Sequence, residues 1–325
     1  MGVGIVRFKE NHQYFWGAVN GQDVYPIECS FHTLADFITH DGIQLACHAL
    51  EQNTDKLPMA ELELVSPVTR PSQIICQGAN YSAHRIEAGM QASRPPYNLI
   101  FTKAPSSLSG PYDPIECPSH VKLLDYEIEL GLIIRKEINQ NVEVTTENLH
   151  AFIAGYVITN DISARDIQLI EGQWFKGKSY RTFCPTGPIV YLFEEHEPVT
   201  VHNLDLVLSI NGEVRQSANT EQLLYKPEET LTELSEIINF YPGDLLLTGT
   251  PGGVALNLTA QELALLSNPT VSYDTKMQTL IEKSQAQHHY LQHGDVIKCE
   301  IKSKDGHIDL GVQENQVIFM NESMK

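Results

Sequence analysis

The sequence predicts an α+β fold that is rich in strands and built on an antiparallel or mixed β core. Strand-like runs recur along the chain, at residues 74–78, 126–134, 154–158, 189–193, 204–210, 245–248, 296–301 and 316–319. Two dipeptides mark hairpins: Asn211-Gly212 between runs 204–210 and 213–216, and Asp305-Gly306 between runs 296–301 and 307–311. Regular strand–helix alternation is missing, which argues against a Rossmann-type parallel sheet.

Residues 1–69 read as a small N-terminal domain, with strand-like runs at 2–8 and 14–19 and a helical stretch at 34–51. Ser66-Pro67-Val68-Thr69-Arg70-Pro71-Ser72 is a proline-punctuated connector into the larger domain, residues 70–325. Helices are expected near 82–90, 146–151, 161–169 and 228–238. Residues 257–292 look like a helical insertion, a lid or an interface piece, helical over 260–266 and 276–291. This segment carries His288, His289 and His293; the i,i+4 spacing of the last two fits a chelating pair, but no carboxylate or Cys completes a site, so solvent-facing histidines are expected.

The chain has 325 residues, 22 Lys+Arg against 41 Asp+Glu, and a formal net charge of −19. So acidic a surface repels nucleic acid and anionic lipid, which are bound by neutralising phosphates. Neither a nucleic-acid nor a membrane partner is expected. No apolar run approaches the roughly 18 residues that span a bilayer. The start, Met1-Gly2-Val3-Gly4-Ile5-Val6-Arg7, turns charged too soon for a secretion signal. The six cysteines form no CxxC pair. Reduced thiols in a cytoplasmic protein are the expectation.

Three constellations carry chemistry. In Asp125-Tyr126-Glu127-Ile128-Glu129-Leu130-Gly131, period-two alternation puts Asp125, Glu127 and Glu129 on one face of a strand. Carboxylates are disfavoured there. Two at i,i+2, about 7 Å apart along a strand, can converge on one hard cation, although an exposed acidic face reads as well. Asn160-Asp161 closes the next strand and opens a helix, on which Asp161, Arg165 and Gln168 would share a face. This fits a third metal ligand beside two substrate-holding groups, or an ordinary capped surface helix. Third, His84 and Glu87 are i,i+3 on a short helix after a strand, where a carboxylate would raise the basicity of the imidazole and fix its tautomer. Such pairs also arise by accident. Lys103 and Lys178 add positive charge, and Thr248-Gly249-Thr250-Pro251-Gly252-Gly253 reads as a turn presenting the Thr250 hydroxyl and backbone N–H groups to a carboxylate.

Taken in order, these motifs make the sequence resemble the fumarylacetoacetate hydrolase family. The resemblance is close over residues 73–255 and looser beyond. It rests on Gly78-Ala79-Asn80-Tyr81 with His84 and Glu87, Asp125 to Leu130, Gly155-Tyr156 to Asp166, Gly177-Lys178-Ser179 to Pro188, and Thr248-Gly249-Thr250-Pro251. It implies a mixed β-roll or sandwich catalytic domain after a small N-terminal domain, in a homodimer. It implies a Mg²⁺ or Mn²⁺ site, with Ca²⁺ a further occupant in crystals, from Glu127, Glu129 and Asp161. His84 with Glu87 takes the role of water-activating base, and Lys178 that of oxyanion or enol stabiliser. Tyr81, Lys103, Arg165, Gln168 and Thr250 become substrate-binding candidates. The 257–292 segment is longer than such proteins have there.

The expected activity is hydrolysis of a C–C bond in a 1,3-diketo acid of the acylpyruvate or fumarylpyruvate kind, through an enolate held by the metal and Lys178. A decarboxylase, dehydratase or isomerase acting on an oxaloacetate-type β-keto acid uses the same scaffold, and a non-catalytic homologue is the remaining alternative. The partner is a small anionic keto acid. Three of the excess acids are sheathed by the cation on this reading, so net charge is no bar to an anionic substrate.

Overall fold

The computed structural model describes residues 2–52, 56–194, 197, 201, 203–287 and 289–320. A twelve-stranded mixed sheet runs in the order Leu57–Pro58, Asp23–Ile27, Gln13–Asn20, Val3–Glu10, Cys184–Leu192, Ile153–Asn160, Ile128–Ile134, Leu245–Leu247, Ile74–Gly78, Leu99–Lys103; Glu63–Val65 and Leu108–Ser109 pair beside this path. A five-stranded sheet, Glu213–Asn219, Leu204–Ile210, Val296–Ser303, Asp309–Phe319, Ile115–Cys117, packs across its middle. Leu130, Leu132 and Tyr156 of the large sheet share one core with Leu206, Cys299, Ile301 and Val317 of the small one. The opposite face of the large sheet, with Ile133, Val157 and Leu245, packs on Trp16, Leu34 and Phe37. The α+β, strand-rich class is therefore the observed one.

Central strand Ile128–Ile134 is buried at every position, because both faces are covered. The exposed-acidic-face reading of this strand is thereby overturned: Asp125, Glu127 and Glu129 are 0%, 3% and 1% exposed. At the N-terminal end, Val3–Glu10 pairs antiparallel with Cys184–Leu192, Ile5 opposite Val190. The first strands are thus continuous with the sheet that carries the acids.

The Asn211-Gly212 hairpin forms as the dipeptide requires, with φ of 51° and 84° between the partners Ile210 and Glu213. The Asp305-Gly306 connection also turns at a left-handed glycine (φ 72°), but the return strand starts at Asp309, so the loop is longer than a two-residue turn. The helical stretch at 34–51 is two helices, Leu34–Thr39 and Gly42–Gln52. The stretch at 146–151 shrinks to one 3₁₀ turn, Leu149–Ala151. The 161–169 helix begins only at Arg165, and Trp174–Lys178 forms a short helix that the pattern did not announce.

The insertion is helical at Ala260–Ser267 and Tyr273–Gln287. Thr259 caps the first helix through a capping box with Glu262, and Lys283 on the second reaches Glu262 at 2.6 Å. Its two ends are stitched to the site elements: Leu258 N–H donates to the Glu87 carbonyl at 2.7 Å, and Leu291 N–H to that of Leu124 at 2.9 Å. The helix ends before His289, so His289 and His293 share no helical face. His289 meets Arg215 at 3.0 Å, and His293 Nδ1 accepts the Phe319 N–H at 3.1 Å. His288 lies outside the described residues. All six cysteines are free thiols, four of them buried. No described helix is long and apolar enough to cross a membrane.

Candidate active site

Glu127, Glu129 and Asp161 converge, with ligand oxygens within 4.8 Å of one another. The first two come from the start of strand Ile128–Ile134, where alternation sends both side chains to one side. Asp161 follows strand Ile153–Asn160, antiparallel to it, with Asn160 paired to Ile128. The backbone does not enter a helix at Asp161, as the sequence reading held. Instead Asp161 N–H donates to the Glu127 carbonyl at 2.8 Å, and Ser163–Ala164 bridges Leu124–Asp125. Asp161 therefore reaches the glutamates from an extended junction, while Arg165 and Gln168 project from the helix beyond.

Three buried cations face these acids. Lys178 Nζ donates to Glu127 at 2.7 Å, Asp161 at 2.6 Å and the Ser163 hydroxyl at 2.8 Å. Lys103 Nζ donates to the other Asp161 oxygen at 2.5 Å. Arg165 spans Asp125 (2.8 Å) and Glu127 (2.5 Å), and its remaining edge holds Gln168 Oε1 at 2.9 Å. Asp125 completes this frame by accepting the N–H groups of Ala255 and Leu256 at 2.8 and 3.0 Å. Burial opposes ionisation of Glu127, but Lys178, Arg165 and His84 outweigh it and hold its pKa well below the usual carboxylate range. Burial would likewise strip the proton from Lys178; Asp161 and Glu127 reverse that and raise its pKa. Glu129 has no cation at hydrogen-bond distance among the described residues. Burial, then the charges of Asp161 and Glu127, push its pKa well up, against Lys178 and the Gly249 N–H at 2.6 Å.

The Thr248–Gly253 turn does present N–H groups to carboxylates, but to the protein's own. Gly249 serves Glu129, and Gly253 N–H serves Glu87 Oε1 at 2.7 Å. Both glycines have positive φ (92° and 105°), and a Cβ on Gly253 would run into the Arg215 carbonyl. The Thr250 hydroxyl is committed to the Ile128 carbonyl (2.9 Å) and accepts from Gln216 (2.8 Å).

His84, in helix Ser82–Glu87, places Nε2 4.0 Å from Glu127 and Nδ1 3.7 Å from Glu87 Oε2. His84 Nδ1, Glu87 Oε2 and the Tyr81 hydroxyl are buried with no hydrogen-bond partner among the described residues. Burial, with a smaller push from the Glu129 charge, raises the Tyr81 pKa.

A cavity of about 600 Å³ opens over this group. His84, Glu127, Glu129, Arg165, Gln168, Lys178 and Thr250 line it; Tyr81, Lys103, Glu87 and Asp161 stand behind the wall. Apolar side chains, among them Met90, Phe101, Leu169, Leu263 and Leu266, make up much of the remaining lining. The sequence reading did not single out Asp125 as the anchor of Arg165, nor Ser163, Gln216, Trp174 or Lys276. Only Asp125 carried a local signal, its place on the acidic strand face; the others are brought in by tertiary packing.

The donor set fits a hard divalent cation. The ligands are carboxylate oxygens, the cavity leaves positions for other oxygens, and Glu129 lacks the positive charge that a cation would bring. Asp125, Glu127, Glu129 and Asp161 are met by Lys103, Arg165 and Lys178, four acids against three cations. A divalent ion would turn that excess of one negative charge into an excess of one positive charge, which suits an anionic ligand.

Residues 73–318 match the family described as Fumarylacetoacetate (FAA) hydrolase C-terminal. A mitochondrial oxaloacetate tautomerase of Rattus norvegicus is 34% identical over 278 residues, 85% of this chain and 76% of that protein. The solved fumarylacetoacetate hydrolase of psychrophilic Exiguobacterium antarcticum is 29% identical, with a TM-score of 0.73 over 98% of this chain and 100% of that one. A maleylpyruvate hydrolase from Sphingobium sp. SYK-6, solved with manganese(II) ion and pyruvate, is 25% identical, with a TM-score of 0.70 over 99% and 100%. With a family match across most of its length, the chain belongs to the fumarylacetoacetate hydrolase family.

Proposed function

We propose that this protein is a divalent-cation-dependent enzyme that interconverts the keto and enol forms of a short 2-oxo dicarboxylate of the oxaloacetate type. The observation that carries the reading is the His84–Glu87 pair. The imidazole is buried at the mouth of the acid cluster, one nitrogen toward Glu127 and the other toward a carboxylate that is itself pinned by the Gly253 N–H. The likeness to an oxaloacetate tautomerase over 85% of the chain supports the same choice.

Glu127, Glu129 and Asp161 would hold the cation, either Mg²⁺ or Mn²⁺ on this donor set. When bound, it supplies Lewis-acid stabilisation of negative charge on the substrate's oxo oxygen. Keto–enol interconversion moves one proton between that oxygen and the neighbouring carbon. His84 lines the cavity, and its Nε2 is the atom that takes the proton from carbon and, as imidazolium, passes it to the enolate oxygen, or carries it the other way. Glu87, 3.7 Å from Nδ1, is placed to favour the proton on that nitrogen, which would leave Nε2 as the free base, and to stabilise the imidazolium once it forms. Lys178 holds positive charge beside the developing enolate oxygen, and its three hydrogen bonds fix its position.

Ultraviolet absorbance of enol-oxaloacetate in Mg²⁺ buffer tests the reading. The protein should accelerate decay to the keto form, and His84→Ala should remove the acceleration while still binding Mg²⁺. No acceleration by the wild type would refute it. The apolar side chains in the cavity lining favour a second reading, hydrolysis of an acylpyruvate, in which the same His84 Nε2 takes a proton from water. Release of pyruvate from an acylpyruvate would identify that outcome.

A further inference from the structure

The inserted segment sends one lysine into the cavity. Lys276 sits in the first turn of helix Tyr273–Gln287, is 7% exposed, and lines the same cavity as His84, Glu129 and Lys178. Among the described residues its ammonium makes no hydrogen bond or ion pair. The three cations of the acid cluster behave differently: Lys103, Lys178 and Arg165, each no more than 2% exposed, are all held by carboxylates. The Lys276 side chain is mostly buried, but its ammonium is not sealed off from solvent, so an anion in the cavity can reach it.

No protein anion on the cavity wall is free to do so. Glu127 and Glu129 belong to the acid cluster, and Glu171, the remaining lining carboxylate, is taken by Lys176 at 2.6 and 2.9 Å. Nor is Lys276 a surface side chain that folds inward by chance. Its segment is tied at Leu258 and Leu291, and its two helices are clamped by Lys283 and Glu262. Leu263, Leu266 and Pro269, from the same inserted segment, line the cavity with Lys276.

We propose that Lys276 is a specificity-determining residue that receives the distal carboxylate of a 2-oxo dicarboxylate whose oxo-acid end lies at Glu127, Glu129 and Asp161. The inference rests on the functional reading above and deepens it by assigning the second of the substrate's two anionic ends to a residue of the insertion. A monoanionic 2-oxo acid of equal length fills the oxo-acid end and leaves Lys276 unmatched.

Calorimetric titration of the Mg²⁺-loaded protein separates the two ideas. The probes are pyruvate, 2-oxopentanoate, and 2-oxoglutarate, which differs from 2-oxopentanoate by the distal carboxylate. Wild type should bind 2-oxoglutarate about tenfold or more tightly than 2-oxopentanoate, the range of a charge-assisted hydrogen bond. Lys276→Met should abolish that preference and leave pyruvate affinity within about twofold, with Lys276→Arg retaining it. The melting temperature of each variant, matched to wild type, excludes misfolding. If wild type binds pyruvate but shows no preference for the diacid, or if the preference survives in Lys276→Met, the role of Lys276 is overturned and the tautomerase reading stands. If wild type binds none of the three with Mg²⁺, that reading falls and takes this one with it.

Discussion

Glu87 Oε2 lies 3.7 Å from Nδ1 of His84, just too far for a hydrogen bond, while its other oxygen accepts the Gly253 N–H at 2.7 Å. Helix Ser82–Glu87 sets the i,i+3 spacing, and the glycine turn sets the carboxylate's angle. On the proposed function the pair would act as a general base with its partner held close.

Glu87→Gln keeps the shape and removes the charge that would stabilise an imidazolium at His84. Turnover should fall by about 10- to 100-fold with KM little changed, while His84→Ala loses the larger factor of about 10²–10⁴ expected of a general base. Steady-state rates on the enol substrate, with melting temperatures as a control, check both. An unchanged rate in Glu87→Gln would show that the carboxylate plays no part.

Gly253→Ala strikes the same pair through the backbone. The residue has φ 105°, and its Cβ would meet the Arg215 carbonyl, so the turn must shift and carry its N–H away from Glu87. Strain of this kind costs about 1–3 kcal/mol. The variant should melt lower and also lose activity, whereas Gly212→Ala, at a hairpin turn with nothing near its Cβ, should affect stability alone.

Lys178→Met leaves Glu127 and Asp161 buried with one counter-charge fewer. Breaking a buried ion pair costs about 3–5 kcal/mol. The loss should be largest in chelator, because a divalent cation replaces the missing charge. Thermal denaturation with EDTA and with Mg²⁺ should show a wider gap for Lys178→Met than for wild type. Glu129→Gln should close the gap in an otherwise wild-type protein, because it removes a ligand. A saturating ion, at about 100 times its Kd, stabilises by roughly 2.7 kcal/mol, enough to read in a melting curve.

Much of this site was legible locally. The period-two acids of 125–129 and the i,i+3 pair His84–Glu87 follow from spacing along one strand and one helix turn. Their surroundings did not follow. Lys103 is 58 positions from Asp161, and only the pairing of edge strand Leu99–Lys103 with Ile74–Gly78 brings it behind the acids. Asp161 looked like the first residue of a helix, because Asn160-Asp161 is good capping chemistry. The tertiary bridge of Ser163–Ala164 to Leu124–Asp125 outcompeted it and delayed the helix to Arg165. Burial of the acidic strand was hidden for the same reason: its second cover is a sheet distant in sequence, Leu130 and Leu132 packing in one core with Val317 and Phe319 of the last strand.

The insertion gives a prediction with a pH sign. Glu262 caps helix Ala260–Ser267 and accepts from Lys283 on the facing helix. Burial opposes its ionisation, but Lys283 and the Thr259 cap outweigh it, so its pKa is lowered in the folded protein. A lowered carboxyl pKa contributes stability above the unfolded value and loses it as pH falls through the folded value. The two helices should therefore hold together at neutral pH and loosen on the acid side of the ordinary glutamate range. Limited proteolysis between residues 260 and 287 should accelerate there before the β core unfolds. Glu262→Gln should show the faster cleavage already at pH 7, with no further change on acidification. Equal cleavage rates for the variant and wild type at pH 7 would show that this contact does not secure the segment.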